Sequence, residues 1–151
     1  MANYTDLFIA TKEEVARAPL NQHAPSKYFP TVQAKRITPL ELATLEAIVT
    51  GHKDAYELVD ARLDAIDQNV VRKWENTTIF HLPDTLVQAL SRLTSNEIVH
   101  AAWAWEDTNE LRASNDEPER IAWITRYLQE ICQLARRAQA EDKQMYLWTA
   151  V

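Results

Sequence analysis

The sequence predicts an α+β fold, mostly helical, in which a small mixed or antiparallel sheet packs with about five or six helices. Three observations predict it. Apolar, β-rich segments stand near both ends of the chain, at Tyr4–Ala10 and Met145–Ala150. Between them run several stretches with apolar residues at helical spacing. The composition is that of a globular protein, with 46% hydrophobic and 25% charged residues. A length of 151 residues suits one domain, 1–151, which buries roughly 70% of its unfolded surface without disulfide or metal staples.

Tyr4 to Ala10 reads as a first strand, with Leu7 and Ile9 on one face and Phe8 on the other. Thr11 then opens a short helix, because Thr11 and Glu14 have the spacing of a capping box. Pro19 stops that helix. Two prolines, Pro25 and Pro30, mark the stretch from Asn21 to Pro30 as a loop. Thr31 to Ile37 reads as a second strand at a sheet edge, given Pro30 and its charges. Thr38-Pro39-Leu40-Glu41 is a helix start with proline at the first helical position and glutamate at the third. That helix ends at Gly51. Its apolar residues (Leu40, Leu42, Leu45, Ile48, Val49) point nearly all round, so it is expected to be well buried. Asp54 to Asp67 forms another helix, with Leu58, Val59, Leu63 and Ile66 on one stripe.

Thr77 to Leu82 is β-rich and reads as a strand. A helix follows Pro83 with Leu86, Val87, Leu90 and Leu93 on its apolar face. Ser95 is read as the cap of the next helix, which runs to about Ala113. The longest helix spans about Glu119 to Glu141, with the stripe Ile121, Ile124, Leu128, Ile131, Cys132, Ala135 and Ala138. The closing strand should pair with the first. A two-stranded sheet alone is marginal, so one of the inner strands should join it.

Composition narrows the function. With one glycine, Gly51, the chain can build no glycine-rich phosphate loop, no GxGxxG turn and no nucleophile elbow. A single cysteine, Cys132, excludes an internal disulfide and a cysteine-rich zinc site. No apolar run reaches the ~20 residues that span a bilayer. The N-terminal stretch lacks the basic and apolar regions of a secretory signal, so a cytoplasmic location is expected. The formal charge is −6, which argues against sequence-independent binding to nucleic acid or to an anionic membrane. The residues Glu106, Asp107, Glu110, Asp116, Glu117 and Glu119, set against Arg112, give the stretch 106–119 a net −5.

The candidate site lies in His100–Leu111, HAAWAWEDTNEL. At 100° per residue, Ile98, Ala101, Ala102, Trp105 and Leu111 share one broad arc, and Trp105 is a core residue. Val99, Trp103, Glu106 and Glu110 share another, flanked by His100 and Asp107. An aromatic ring rimmed by carboxylates suits a basic protein partner. Glu106 and Glu110, one turn apart, have the spacing to share a cation, but no HExxH or Glu-x-x-His pair accompanies them, so neither a metal nor a cofactor is expected. Cys132 falls on a core stripe and His81 alternates within a strand. The basic pairs Lys35-Arg36, Arg72-Lys73 and Arg136-Arg137 read as solvated surface.

The first reading is therefore a small acidic interaction protein of the inhibitor or immunity type, contacting a basic partner through Val99, Trp103, Glu106, Asp107 and Glu110. An enzyme or small-ligand binder is the second, with a pocket between sheet and helices using His81 or His100 and nearby carboxylates. The third is a structural subunit of a homo-oligomer, with Trp103 or Trp123 at the interface.

Overall fold

A computed structural model describes residues 4–34, 37–108 and 120–151. Among them are six α-helices and a five-stranded antiparallel sheet, a mostly helical α+β fold. The strands are β1 (Tyr4–Ala10), β2 (Thr31–Ala34), β3 (Val70–Lys73), β4 (Thr77–His81) and β5 (Gln144–Ala150). The helices are α1 (Lys12–Arg17), α2 (Pro39–Val49), α3 (Ala55–Asp64), α4 (Asp84–Arg92), α5 (Ser95–Glu106) and α6 (Arg120–Ala140). Short 3₁₀ turns occupy Pro25–Lys27 and Ile66–Asn69.

The sheet order is β2-β1-β5-β4-β3. The first and last strands pair along their whole length, from Tyr4 opposite Ala150 to Ala10 opposite Gln144. Both inner segments expected as strands join them, β2 on β1 and β4 on β5. The strand of residues 31–37 ends at Ala34, residues 35 and 36 lie outside the described residues, and Ile37 is buried. A fifth strand, β3, was not expected. Val70-Val71-Arg72-Lys73 is short and half charged, and it gains its ladder by folding back on β4 through a turn at Trp74–Asn76.

Both faces of the sheet are covered, because the alternation of β1 sends apolar side chains to each. Leu7 and Ile9 join the larger core with α2, α4, α5 and α6. Phe8 and Ala10 join a smaller one with Val15, Leu20, Ile79, Tyr146 and Trp148. Phe8 stacks between Phe29 and Tyr146 there, and Trp148 Nε1 donates to the Leu20 carbonyl at 2.8 Å.

Helix starts follow the side-chain chemistry. Thr11/Glu14 and Thr38/Glu41 each form a capping box. The helix read from Ser95 is capped instead by Thr94, since Glu97 stands three residues after Thr94 and returns the bond. Helix α2 is enclosed on nearly every side, and Glu41 and Glu46 are buried within it. Helix α3 contains no buried residue at all.

Candidate functional site

Helix α5 turns one face to the core and one away. Ile98, Ala102 and Trp105 are buried, and Trp105 is wholly so. Its Nε1 donates to the Glu41 carbonyl on α2 at 3.2 Å. Its ring stacks on Tyr127 of α6, with centroids 6.2 Å apart, and Tyr127 in turn stacks on Trp123 at 5.3 Å. A ladder of three rings thus runs from the core between α5 and α6 out to the surface. Trp103, two residues from Trp105, points almost oppositely, and 57% of it is exposed; Trp123 is 39% exposed and Val99 41%.

The carboxylates divide. Asp107 is exposed. Glu106, expected on the outer rim, is buried and so leaves that rim. The helical angle explains the correction: Glu106 lies only about 40° round the helix from Ala102, and about 60° from Trp103. Position 106 is therefore the border of the core face. Both Glu106 and Asp107 engage other groups. Glu110 lies outside the described residues, as does the end of the helix expected to reach Ala113.

Burial has a clear chemical effect at Tyr127. Its hydroxyl is enclosed without a hydrogen-bond partner among the described residues, and desolvation raises its pKa. Cys132 is fully buried on α6, and burial pushes its thiol up to about 11. A thiolate nucleophile is not on offer there.

A narrow apolar pocket lies between β4, β5 and helices α2, α3 and α4, with about 40 Å³ of open space. His81 and Glu46 are in its wall. Glu46 is not available as a base. Arg62 binds both its oxygens, Nε to Oε1 at 2.8 Å and Nη2 to Oε2 at 2.6 Å, and Thr85 donates to Oε2 at 2.7 Å. His81 Nε2 lies 2.8 Å from Gln144 Oε1 and 3.9 Å from the largely exposed Asp84 carboxylate. His100 is exposed on α5 and lines neither this pocket nor the polar groove of about 180 Å³ between α4 and the α6–β5 turn. Among the described residues, the histidine of the pocket therefore meets no pair of free, converging carboxylates.

Two of the basic pairs do structural work that their sequence did not reveal. Arg72 Nη1 donates to the carbonyls of Val15 and Ala18 at the end of α1, and its guanidinium lies 4.0 Å from the centre of the Trp74 ring. Arg136 donates to the carbonyls of Ser91 and Leu93 at the end of α4, while Arg137 pairs with Glu141. Lys35 and Arg36 lie outside the described residues. Among the described residues no three His, Cys, Asp or Glu side chains gather as a metal site, and no helix is long and apolar enough to cross a membrane.

No protein-family model matches the chain, and no curated protein does. Among solved structures, it is similar to the crystal structure of YfbM from Escherichia coli, a protein of unknown function, over 98% of this chain and 99% of that one, with 13% identity and a TM-score of 0.48.

Proposed function

We propose that this protein is a small interaction protein of the inhibitor or immunity type, and that it docks a basic protein partner through the outer face of α5. The observation that carries this reading is the exposure of Trp103, 57% of whose surface meets solvent on a helix already anchored by Trp105. Large aromatic rings on a rigid, pre-packed support are the usual anchors of protein interfaces. Val99 widens the apolar patch one turn before Trp103. Asp107 borders it, and the stretch 106–119 carries the chain's largest local negative charge, which favours a partner of opposite sign.

The test is affinity capture from the native host with wild type and with Trp103→Ala, each shown folded by circular dichroism. A basic protein retained by wild type and lost by the variant supports the reading. Equal retention by both removes Trp103 from the interface. Self-association lost on Trp103→Ala, seen by sedimentation, would replace the reading with a homo-oligomer.

A further inference from the structure

From Ile48 to Asn76 not one residue is buried, although the chain on either side of this stretch is core. The stretch contains α3, which packs on α2 with Leu58, Val59 and Leu63 only half covered. Beneath it lies the apolar pocket, whose wall is made of Leu42, Ala43, Phe80, Leu82, Leu86 and Leu147. The cover is thus far less well anchored than the wall it closes. Among the described residues, α3 and the turn after it have one side-chain tie to the rest of the fold: the Arg62 fork on Glu46, braced by Thr85 from α4. The N-terminal junction of the cover is Gly51, at φ 65°, followed by the exposed residues His52, Lys53 and Asp54. Segments with few buried contacts open at lower free energy than the core they cover.

We propose that α3 and the 3₁₀ turn after it form a hinged cover, latched by Arg62 to Glu46, over a binding pocket for a small uncharged apolar molecule. The class of ligand follows from the lining. The walls are mostly aliphatic and aromatic, with Asn69 and His81 as polar members, and the opposite charges of Glu46 and Arg62 within them pair with each other, so neither sign is favoured. The space of about 40 Å³ is well below the ~150 Å³ of an apolar cavity that admits benzene. A ligand of that size therefore needs the pocket to widen, and because α3 and the turn after it supply the least buried part of the wall, ligand binding and displacement of α3 are one linked equilibrium.

The experiment combines native-state amide exchange with methyl NMR, using benzene as the probe. Amides of α3 should exchange at least about 100-fold faster than those of β1 and β5, through an opening that leaves the sheet intact. Arg62→Gln should speed α3 exchange a further tenfold or more with β1 and β5 unchanged. Because that variant leaves Glu46 buried without its partner, the double variant Glu46→Gln/Arg62→Gln serves where the single one does not fold. Benzene should shift the methyl signals of Leu42, Leu82, Leu86 and Leu147, more so once the latch is cut, and Ala43→Met should abolish the shifts by filling the pocket. Exchange of α3 only together with the sheet would overturn the hinged cover. Unmoved leucine methyls in both wild type and the unlatched protein would overturn the pocket.

Discussion

Replacing each tryptophan of α5 by alanine separates the two faces of that helix. Trp105 is wholly buried. Its side chain withdraws on the order of 200 Å² from water, worth about 5 kcal/mol at ~25 cal/mol per Å². The bond from Nε1 to the Glu41 carbonyl adds about 1 kcal/mol net. Area counted from an extended chain overstates burial, so Trp105→Ala should cost about 3–5 kcal/mol, the range of large core deletions. For Trp103 the exposure of 57% leaves less than half of that area, and alanine is the better helix former by a few tenths of a kcal/mol. Trp103→Ala should cost about 1 kcal/mol. In a chain of this size the midpoint moves ~2–4 °C per kcal/mol, so thermal melts should show a fall of roughly 6–20 °C for Trp105→Ala and about 3 °C for Trp103→Ala. Binding should order the two sites differently, with Trp103→Ala weakening a partner by ~2 kcal/mol or more, about thirtyfold. Equal losses of stability would mean that both faces of α5 are packed, and the argument for a docking surface would collapse.

Removing Met145 to Val151 should leave no cooperative melt, because β5 lies between β1 and β4 and supplies Met145, Tyr146, Leu147 and Trp148 to both cores; a truncated chain melting like wild type would show the sheet to be dispensable. Cys132 should react with a thiol reagent only on unfolding, since it is fully buried and burial lifts its thiol to about 11; stoichiometric labelling of the native protein within minutes would contradict this. The Thr11 and Thr94 backbone amides hold Glu14 and Glu97 below the usual carboxylate value of 4.5. Their contribution is then complete above that value and lost as the pH falls through the lower folded-state values, so Glu14→Gln/Glu97→Gln should show a shallower loss of melting temperature below pH 4.5 than wild type, and identical slopes would remove the effect.

Local signals carried most of the fold. The terminal strands were legible because period-2 alternation and β-branched or aromatic side chains coincide at Tyr4–Ala10 and Met145–Ala150. The capping boxes at Thr11 and Thr38 were legible because they need only two side chains three residues apart. At Thr94 the same rule applied one residue earlier than the Ser95 reading placed it. What escaped has no local signature. β3 exists through its pairing with β4, and its own four residues include two cations. The smaller core draws Leu20 and Phe29 from an irregular segment with no period to read. In the candidate site, the angles separated Trp103 from Trp105 correctly but placed Glu106 on the outer arc, although it sits at the border where packing by neighbouring elements decides. The Arg62–Glu46 pair joins two helices sixteen residues apart, and only the crossing of α3 on α2 brings it together.

The scarcity of glycine explains two arginines that the sequence alone left as surface. A helix end leaves carbonyls without partners, and a glycine just beyond the end commonly lets the chain turn back and satisfy them. Here Gly51 does so after α2: it adopts φ 65°, and the amides of Gly51 and His52 bond to the carbonyls of Ile48 and Ala47. Helix α6 makes the same motif without glycine. Asp142 takes φ 54°, and the amides of Asp142 and Lys143 bond to Gln139 and Ala138. A short polar side chain tolerates that conformation better than most, at some cost in strain. Helices α1 and α4 have neither solution and leave in extended conformation at Ala18 and Leu93. Their last carbonyls are met from a distance, by Arg72 of β3 and Arg136 of α6. Each guanidinium brings two things to the negative end of a helix, hydrogen-bond donors and positive charge. Each also ties its helix to an element far away in sequence: α1 to the edge of the sheet, and α4 to the longest helix. Cations used in this way are fixed as parts of the scaffold.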